Sequence, residues 1–208
     1  LKQVFPDSKA FEGTSPSEAV LTGGVVIHDP PMTSIAKADG DNKLAIYEDW
    51  MDKCAQSLGI ERSKLKIAQA FKHDGVAIRV NYKKGKLVSA GLRPRNGVEG
   101  SDVTRHMKYV DGLPQKLPLS LTLSLNGELE CLKSTFDKIN AEQEASGQPL
   151  YKNPRNYTAG CMGRDDPEEN KNAGLSVAFY SITGFDEWQD YYTNEVERAK
   201  WANTELGL

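Results

Sequence analysis

Residues 66–92 read KIAQAFKHDGVAIRVNYKKGKLVSAGL, a stretch in which apolar side chains recur largely at every second position. A period of two is typical of β-strands that bury one face. It predicts strands at Ile67–Phe71, Val76–Tyr82 and Leu87–Leu92, with turns at Asp74-Gly75 and Lys83-Lys84-Gly85. We therefore expect an antiparallel meander at the centre of the fold.

The segments on either side of this stretch add helices and further strands. Residues 43–59 carry apolar side chains at three- and four-residue steps and end in Gly59, which predicts a helix. Similar patterns predict helices at Asp102–Tyr109, Thr135–Ser146 and Trp188–Leu206, and strands at Leu119–Leu132 and Leu175–Ile182. The sum is an α+β fold, an antiparallel sheet with flanking helices. Residues 1–27 lack periodicity, and we interpret them as an irregular N-terminal arm before a domain at 28–208.

The composition is that of a globular protein. The chain has 208 residues, of which 38% are hydrophobic and 26% charged, so it can bury a core. It contains no run of 18 apolar residues, and we expect no membrane segment. The net charge of −3 argues against a basic surface over the whole chain, although basic residues cluster at 83–86, 93–95 and 152–155. The three cysteines are far apart, which argues against a disulfide framework or a zinc site and predicts a cytoplasmic location.

Lys72 is the first candidate for chemistry, because it lies between an apolar run and the Asp74-Gly75 pair. A lysine attacks as a neutral amine, which desolvation or a neighbouring cation favours. Such an amine can hold a nucleotide as a phosphoramidate, with Asp74 positioning it and Gly75 letting the chain approach a ligand closely. Taken alone, a K-x-D-G sequence is more often a surface lysine before a hairpin turn.

Further motifs lie on both sides of this lysine. His28-Asp29-Pro30-Pro31-Met32-Thr33-Ser34-Ile35 comes before it, and five segments follow: GVAIRVNYKKGKLV (75–88), RPRNGVEGSDVT (93–104), NGE (126–128), NPRNYTAG (153–160) and AFYS (178–181). In content and order these segments resemble the adenylation domain of NAD-dependent DNA ligases, over residues 28 to about 185. The match at 153–160 is the most specific. The resemblance implies a nucleotidyltransferase fold of the ATP-grasp-like kind.

The resemblance also implies a function and a site. Lys72 would take AMP from NAD and pass it to a DNA 5′-phosphate, so that a nick in DNA can be sealed during repair or replication. The other implied contacts are Asp74 to Lys72, Ser34 and Ile35 at the adenine end, Tyr180 stacked on adenine, Glu128 at the ribose or at Mg²⁺, and Arg155 with Arg93 or Arg95 at phosphate or ribose.

Each of these side chains also has an ordinary structural role to offer. Without the other motifs, Arg155 would be a surface ion-pair partner, Glu128 a solvated strand residue and Tyr180 a core aromatic. The histidines lack paired ligand spacing. We expect His28 to cap or pack, and His73 and His106 to be exposed.

The chain departs from the family pattern at several positions. Ala70 stands where the family has a glutamate that reads adenine, Asn126 stands where it has arginine in R-G-E, and Pro94 stands where it has arginine in T-R-G-D-G. Residues 1–27 lack the pattern of the nicotinamide-binding module. The D-G-x-V-x-K motif with its second lysine would lie beyond Leu208, as would an OB-fold, a zinc finger and helix-hairpin-helix elements.

These departures leave three interpretations of the chain open: a piece of a longer ligase, one subunit of a split phage or viral ligase in the host cytoplasm, or a degenerate relative. A split ligase would need a second subunit. Two alternative functions follow, a non-catalytic subunit that binds nucleotide or a partner, and an ATP-dependent ligase-like nucleotidyltransferase.

Overall fold

The computed structural model describes residues 24–208. These residues belong to two compact units: the first spans Thr33–Ala70, and the second combines residues 24–32 with Phe71–Leu208. The strands are β1 Val25–Ile27, β2 Val76–Lys83, β3 Lys86–Leu92, β4 Glu99–Ser101, β5 Val110–Asp111, β6 Leu123–Cys131 and β7 Leu175–Thr183. The α-helices are α1 Lys43–Leu58, α2 Lys133–Ala145, α3 Pro154–Met162 and α4 Glu195–Trp201.

The first unit contains α1, as the three- and four-residue steps predicted. The helix ends at Gly59, which adopts a left-handed conformation with φ 64° and donates its N–H to Ala55 and Gln56. Arg62 follows in a short 3-10 helix and donates to Asp52 on α1 at 3.0 Å. Ser34 and Ile35 lie in the segment before α1, and both are exposed.

The second unit is built on a five-stranded sheet with strand order β3-β2-β6-β7-β5. All neighbours are antiparallel except β5 and β7. β2 and β3 form the predicted hairpin, in which Lys84 and Gly85 have φ of 51° and 76° and supply the positive φ that a type I′ turn requires. The α+β prediction is confirmed at this level.

The strands of this sheet alternate between an apolar and a polar face. Ile78, Val80, Leu125 and Leu129 are fully buried on one face, where residues of α2 and α3 cover them. Burial of such a side chain contributes roughly 1.5–3 kcal/mol. The intervening residues, from Arg79 to Glu130, project from the opposite face, because successive side chains of a strand point to opposite sides. The apolar face therefore holds the fold together, and the polar face is left for other contacts.

One predicted strand and its turn are wrong. Residues 67–71 form no strand, Ile67 is exposed, and Phe71 is 94% exposed. The physical reason is that β2 is already paired along both edges, by β3 and by β6, so neither edge can accept a third strand. Asp74-Gly75 therefore does not close a hairpin, and the expected meander reduces to the β2–β3 hairpin.

Other predicted boundaries also change. Residues 25–27, assigned to the irregular arm, form β1 and pair with β4, while residues 1–23 of that arm lie outside the described residues. The predicted helix at Trp188–Leu206 is broken, because Asn194 caps a new helix by accepting from the N–H groups of Val196 and Glu197. The segments predicted as Asp102–Tyr109, Thr135–Ser146, Leu119–Leu132 and Leu175–Ile182 are present with shifted ends, the first as a 3-10 helix at Thr104–Tyr109.

The histidines divide differently from the prediction. His28 is buried, with its Nε2 at 3.0 Å from the carbonyl oxygen of Leu92, as the packing interpretation expected. His106 was expected to be exposed but is buried, with Nδ1 at 2.9 Å from the Asn170 amide. Burial lowers the pKa of both imidazoles.

Within residues 24–208, no helix combines the length and the apolar character needed to cross a membrane.

Candidate active site

The Lys72-His73-Asp74-Gly75 segment directly precedes β2 in the sequence and crosses the end of β6. Gly75 packs so closely on β6 that a Cβ atom there would overlap the carbonyl oxygen of Leu129. Close approach, rather than a turn, therefore requires glycine at this position. The approach also brings the Gly75 N–H to 3.2 Å from Oε1 of Glu128.

Lys72 itself is exposed, and its Nζ donates to the carbonyl oxygen of His73 at 3.4 Å. From the sequence we expected a desolvated amine held by Asp74. Neither feature is present, because the lysine follows an irregular segment instead of a buried strand, and Asp74 pairs with another residue. The amine is open to any ligand that approaches from solvent.

The partner of Asp74 is Arg155, with Nη1 and Oδ1 3.3 Å apart. Asp74 is 83% exposed, so the ion pair contributes at most about 1 kcal/mol. Arg155 lies in the first turn of α3, where Asn153 caps the helix by accepting from the Asn156 N–H at 2.7 Å and Pro154 occupies the first position. We predicted no helix here, although asparagine followed by proline is a known start signal.

His73 is tied down by the strand below it. Its Nδ1 lies 3.0 Å from Oε2 of Glu130, and the Glu130 side chain is mostly buried. His73 was expected to be exposed, but it is half-buried in this pair. The candidate lysine is thus flanked by a residue that β6 holds.

Glu128 lies at the centre of the polar face. The strand register places Ala77 on one side of it and Ala178 on the other, and both of these small residues are partly exposed. Burial raises the pKa of the Glu128 carboxyl above its ordinary value. The hydrogen bond from Gly75 acts in the opposite direction, as do the positive charges of Lys72, Arg155 and Arg93. A half-buried carboxylate therefore lies among three cations.

Tyr180 reaches the same face through a β-bulge. Asn126 pairs with Ser181 and Gly127 with Phe179, so Tyr180 is an extra residue in β7. Bulges of this kind redirect a side chain and are common beside functional sites. Tyr180 remains 46% exposed. Burial of part of the ring raises the pKa of its hydroxyl; Glu128 raises it further, while Arg93 and Arg79 lower it, which identifies these three as its charged neighbours.

The two flanking arginines of the 93–104 motif differ in position. Arg93 directly follows β3, donates its N–H to the carbonyl oxygen of Ala77 at 2.9 Å and is half-buried near Glu128 and Tyr180. Arg95 is exposed in a turn, which is closed by a hydrogen bond of 3.2 Å from the Gly97 N–H to the carbonyl oxygen of Pro94. Of the two candidates, Arg93 is the one grouped with the other site residues.

Arg79 was not among the residues predicted for the site. It is 2% exposed, and it donates to Asn126 Oδ1 at 2.7 Å and to the carbonyl oxygen of Pro30 at 2.6 Å. Asn126 in turn donates to Ser181 at 2.8 Å. Because Arg79 lies directly opposite Asn126, the guanidinium that the family carries at position 126 is present here on the neighbouring strand. No pattern within β2 alone could reveal this, since it depends on the register with β6.

Two features bear on ligands. A cavity of about 480 Å³, within the range of ligand pockets, lies near the end of β7, lined by Pro30, Thr183, Phe185, Trp188 and Tyr192 among others. It is therefore separate from the group around Glu128. Within residues 24–208, no cluster of three or more His, Cys, Asp or Glu side chains is arranged to hold a metal ion.

Comparison with known proteins extends the motif resemblance over most of the chain. The family described as NAD-dependent DNA ligase adenylation domain matches residues 24–207. A DNA ligase of Lactobacillus delbrueckii subsp. bulgaricus is 33% identical over 156 residues, which are 75% of this chain and 22% of the relative. DNA ligase 1 of Opitutus terrae is 34% identical over 179 residues, and a DNA ligase of Bacillus thuringiensis is 30% identical over 178 residues. These two matches cover 81% and 82% of this chain and 26% of each relative. The chain thus spans about a quarter of the length of these relatives.

Proposed function

Because the chain belongs to the family of NAD-dependent DNA ligase adenylation domains, we propose that it performs covalent adenylyl transfer from NAD to nicked DNA through Lys72. The observation that carries the proposal is the grouping of Lys72, Arg155, Arg93 and Tyr180 around Glu128. We include in the proposal a nucleotidyltransferase fold of the ATP-grasp-like kind, with the adenylation domain at 28–208.

In the first step, the neutral amine of Lys72 attacks the α-phosphorus of NAD. A P–N bond forms, the P–O bond to nicotinamide mononucleotide breaks, and the electron pair leaves with that oxygen. The amine loses its proton to solvent, to which it is open. Arg155 and Arg93 are suited to neutralise the negative charge that builds up on the phosphate oxygens, the main demand of phosphoryl transfer.

The later steps return the lysine to its starting state. An oxygen of the DNA 5′-phosphate attacks the phosphorus of the adenylyl group, the P–N bond breaks, and the Lys72 amine takes up a proton. The 3′-hydroxyl then attacks the activated 5′-phosphate: a new P–O bond closes the phosphodiester, the P–O bond to AMP breaks, AMP leaves with the electron pair, and the hydroxyl proton passes to solvent. Each step exchanges one bond to phosphorus for another, so no oxidant or reductant is consumed.

The remaining contacts follow from position and chemistry. Tyr180 presents a half-exposed ring to stack on adenine, and Glu128 presents its carboxylate to the ribose hydroxyls, while Ser34 and Ile35 stay predicted adenine contacts. Glu128 also suits Mg²⁺, which proteins commonly bind through one carboxylate together with water and substrate phosphates. The ion would supply positive charge at the phosphates.

Intact mass after incubation with NAD and Mg²⁺ tests the proposal. We expect the mass to rise by one AMP, and Lys72→Ala to abolish the increase without lowering the melting temperature. A second reaction contains a fragment with the D-G-x-V-x-K motif, in case a partner chain must supply it. Transfer from ATP but not from NAD would contradict the choice of donor.

A non-catalytic subunit is the second candidate function. It is favoured by the exposure of Lys72 and by the pairing of Asp74 with Arg155 instead of with the lysine. If no mass increase occurs in either reaction while nucleotide still binds, this function replaces the first. Under either function, we propose a cytoplasmic location, in the host if the source is viral, and partners that include nicked DNA and a second ligase subunit or further ligase domains.

A further inference from the structure

Three lysines lie side by side at the hairpin end of the sheet. Lys83 on β2 pairs with Lys86 on β3, and Lys86 forms a bridge with Lys116 on its other side. Residues directly opposite each other project to the same face with Cβ atoms about 4.5–5.5 Å apart. Lys83, Lys86 and Lys116 therefore form a line of three ammonium groups, here termed the basic row.

The basic row is electrostatically unfavourable as it stands. Like charges directly opposite each other destabilise a sheet. All three lysines are exposed, and none belongs to an ion pair within residues 24–208. Residues 115–122, which run along the hairpin turn, contain no acidic side chain, although the whole chain has 29 acidic against 26 basic residues. A bound polyanion would relieve this repulsion.

Protection of a sheet edge is the ordinary explanation for such lysines, since β3 is an edge strand and lysine discourages pairing with other chains. That explanation suits Lys86. It does not account for Lys83, which lies on an interior strand, or for Lys116, whose segment already covers part of the edge of β3. The row as a whole needs another explanation.

We propose that the basic row binds the phosphate backbone of duplex DNA away from the nick. The proposal rests on the proposed function for its choice of polyanion. β2 runs from Val76, just after the Lys72 segment, to Lys83, a length of about 23 Å at roughly 3.3 Å per residue. At 3.4 Å per base pair, that length corresponds to about seven base pairs of a duplex whose 5′-phosphate lies at Lys72. Exposed hydroxyls of Ser120 and Thr122 lie on the segment beside the turn.

Fluorescence anisotropy with a nicked, 5′-phosphorylated duplex over a range of salt concentrations tests this proposal. Each lost phosphate contact lowers the slope of log K against log salt by about 0.9 for B-form DNA. The variant with Lys83, Lys86 and Lys116 all changed to Gln should therefore lose about two to three units of slope and at least about tenfold in affinity at low salt. The control changes Lys138, Lys171 and Lys200, three exposed lysines elsewhere, to Gln and should alter affinity less than about twofold.

Several results would overturn the proposal: undetectable duplex binding by the unchanged chain at low salt, an unchanged slope in the first variant, or equal losses in both variants. Binding to vesicles of acidic phospholipid instead of duplex would also overturn it. The double variant Lys83→Gln/Lys116→Gln, which keeps the edge lysine, serves if the triple variant aggregates. Lys72→Arg separates the two proposals, because it should abolish AMP uptake while it keeps the positive charge at this position, and so leave the salt slope unchanged.

Discussion

The two faces of the central sheet are made by the same strands, yet they are specified by different physics. On one face, Ile78, Leu125 and Leu129 are completely buried, and what matters is that their volumes fill the space under α2 and α3. On the other face, Arg79, Asn126 and Glu128 alternate with them, and what matters is which donor meets which acceptor. The difference predicts that changes on the apolar face cost stability through lost packing, whereas changes on the polar face act through lost donor–acceptor pairs and through chemistry.

The largest expected effect comes from the apolar face. Leu125→Ala should lower the free energy of unfolding by about 3 kcal/mol, because it removes a fully buried side chain and leaves a cavity. Urea denaturation measures the loss. AMP uptake by the fraction that stays folded should be unchanged, and a loss of uptake without a loss of stability would contradict the division between the faces.

Gly75 packs beside Leu129 of the apolar face and Glu128 of the polar face, so its replacement should affect both. Gly75→Ala places a methyl group on the backbone of β6 and should cost about 2 kcal/mol together with the hydrogen bond to Glu128. The matched control is Gly160→Ala on α3, where a Cβ meets nothing within 4 Å; it should be neutral or stabilise by up to about 1 kcal/mol. Equal unfolding midpoints for the two variants would show that Gly75 is not constrained.

The Arg79–Asn126 pair tests whether the polar face is defined by its pairings. Arg79→Met leaves the acceptors of Asn126 and Pro30 without their donor and should cost about 1–3 kcal/mol. Asn126→Arg alone places two guanidiniums together and should also destabilise. In a double-mutant cycle of Arg79→Asn, Asn126→Arg and the two combined, the combined variant should recover part of the summed losses, since an arginine then stands at position 126 and an asparagine faces it. If the loss of stability in the double variant equalled the sum of the two single losses, the pairing of positions 79 and 126 would be contradicted.

The smallest expected effect on stability concerns Glu128 and pH. Burial raises the pKa of its carboxyl in the folded state, so the unfolded chain ionises first as the pH rises. The folded state then binds more protons than the unfolded state, and its stability falls through this window. As the pH rises from acidic to neutral, the Glu128→Gln variant should therefore become more stable relative to the unchanged chain. The difference in the free energy of unfolding should be less than about 1 kcal/mol, because the group is partly solvated. Glu144→Gln, at an exposed site on α2, should show no such trend.

Much of the sheet could be predicted because alternation is a local property. The periodic runs around Ile78, Leu87 and Leu175 correspond to real strands with nearly the predicted ends. The run at 67–71 was misleading, since whether a strand finds a free edge depends on the other strands. The helix that begins at Pro154 was missed because its apolar side chains form no long periodic pattern, although its cap is visible in the sequence.

The candidate site shows the same division. Motif order alone singled out Glu128, Arg155 and Tyr180, and the structure brings them together near Lys72. The exposure of Lys72 and the partner of Asp74 could not be predicted, because both depend on how an unpaired segment crosses β6. Arg79 could not be identified either, because an arginine inside a β-run is distinguished from a surface residue only by the residue that faces it.

The extra residue in β7 has a consequence for anyone who aligns, grafts or shortens this strand. Before the bulge, odd-numbered positions such as Val177 and Phe179 point into the interior; after it, even-numbered positions such as Ile182 do. The inward-facing positions therefore change from odd to even numbers at Tyr180. The orientation of every later side chain in β7 depends on this extra residue. Deleting Tyr180 would restore simple alternation, with Phe179 and Ile182 still inside, and would remove only the bulge and its ring. An alignment that absorbs the residue in a nearby loop would assign Ser181 and Ile182 to the wrong sides.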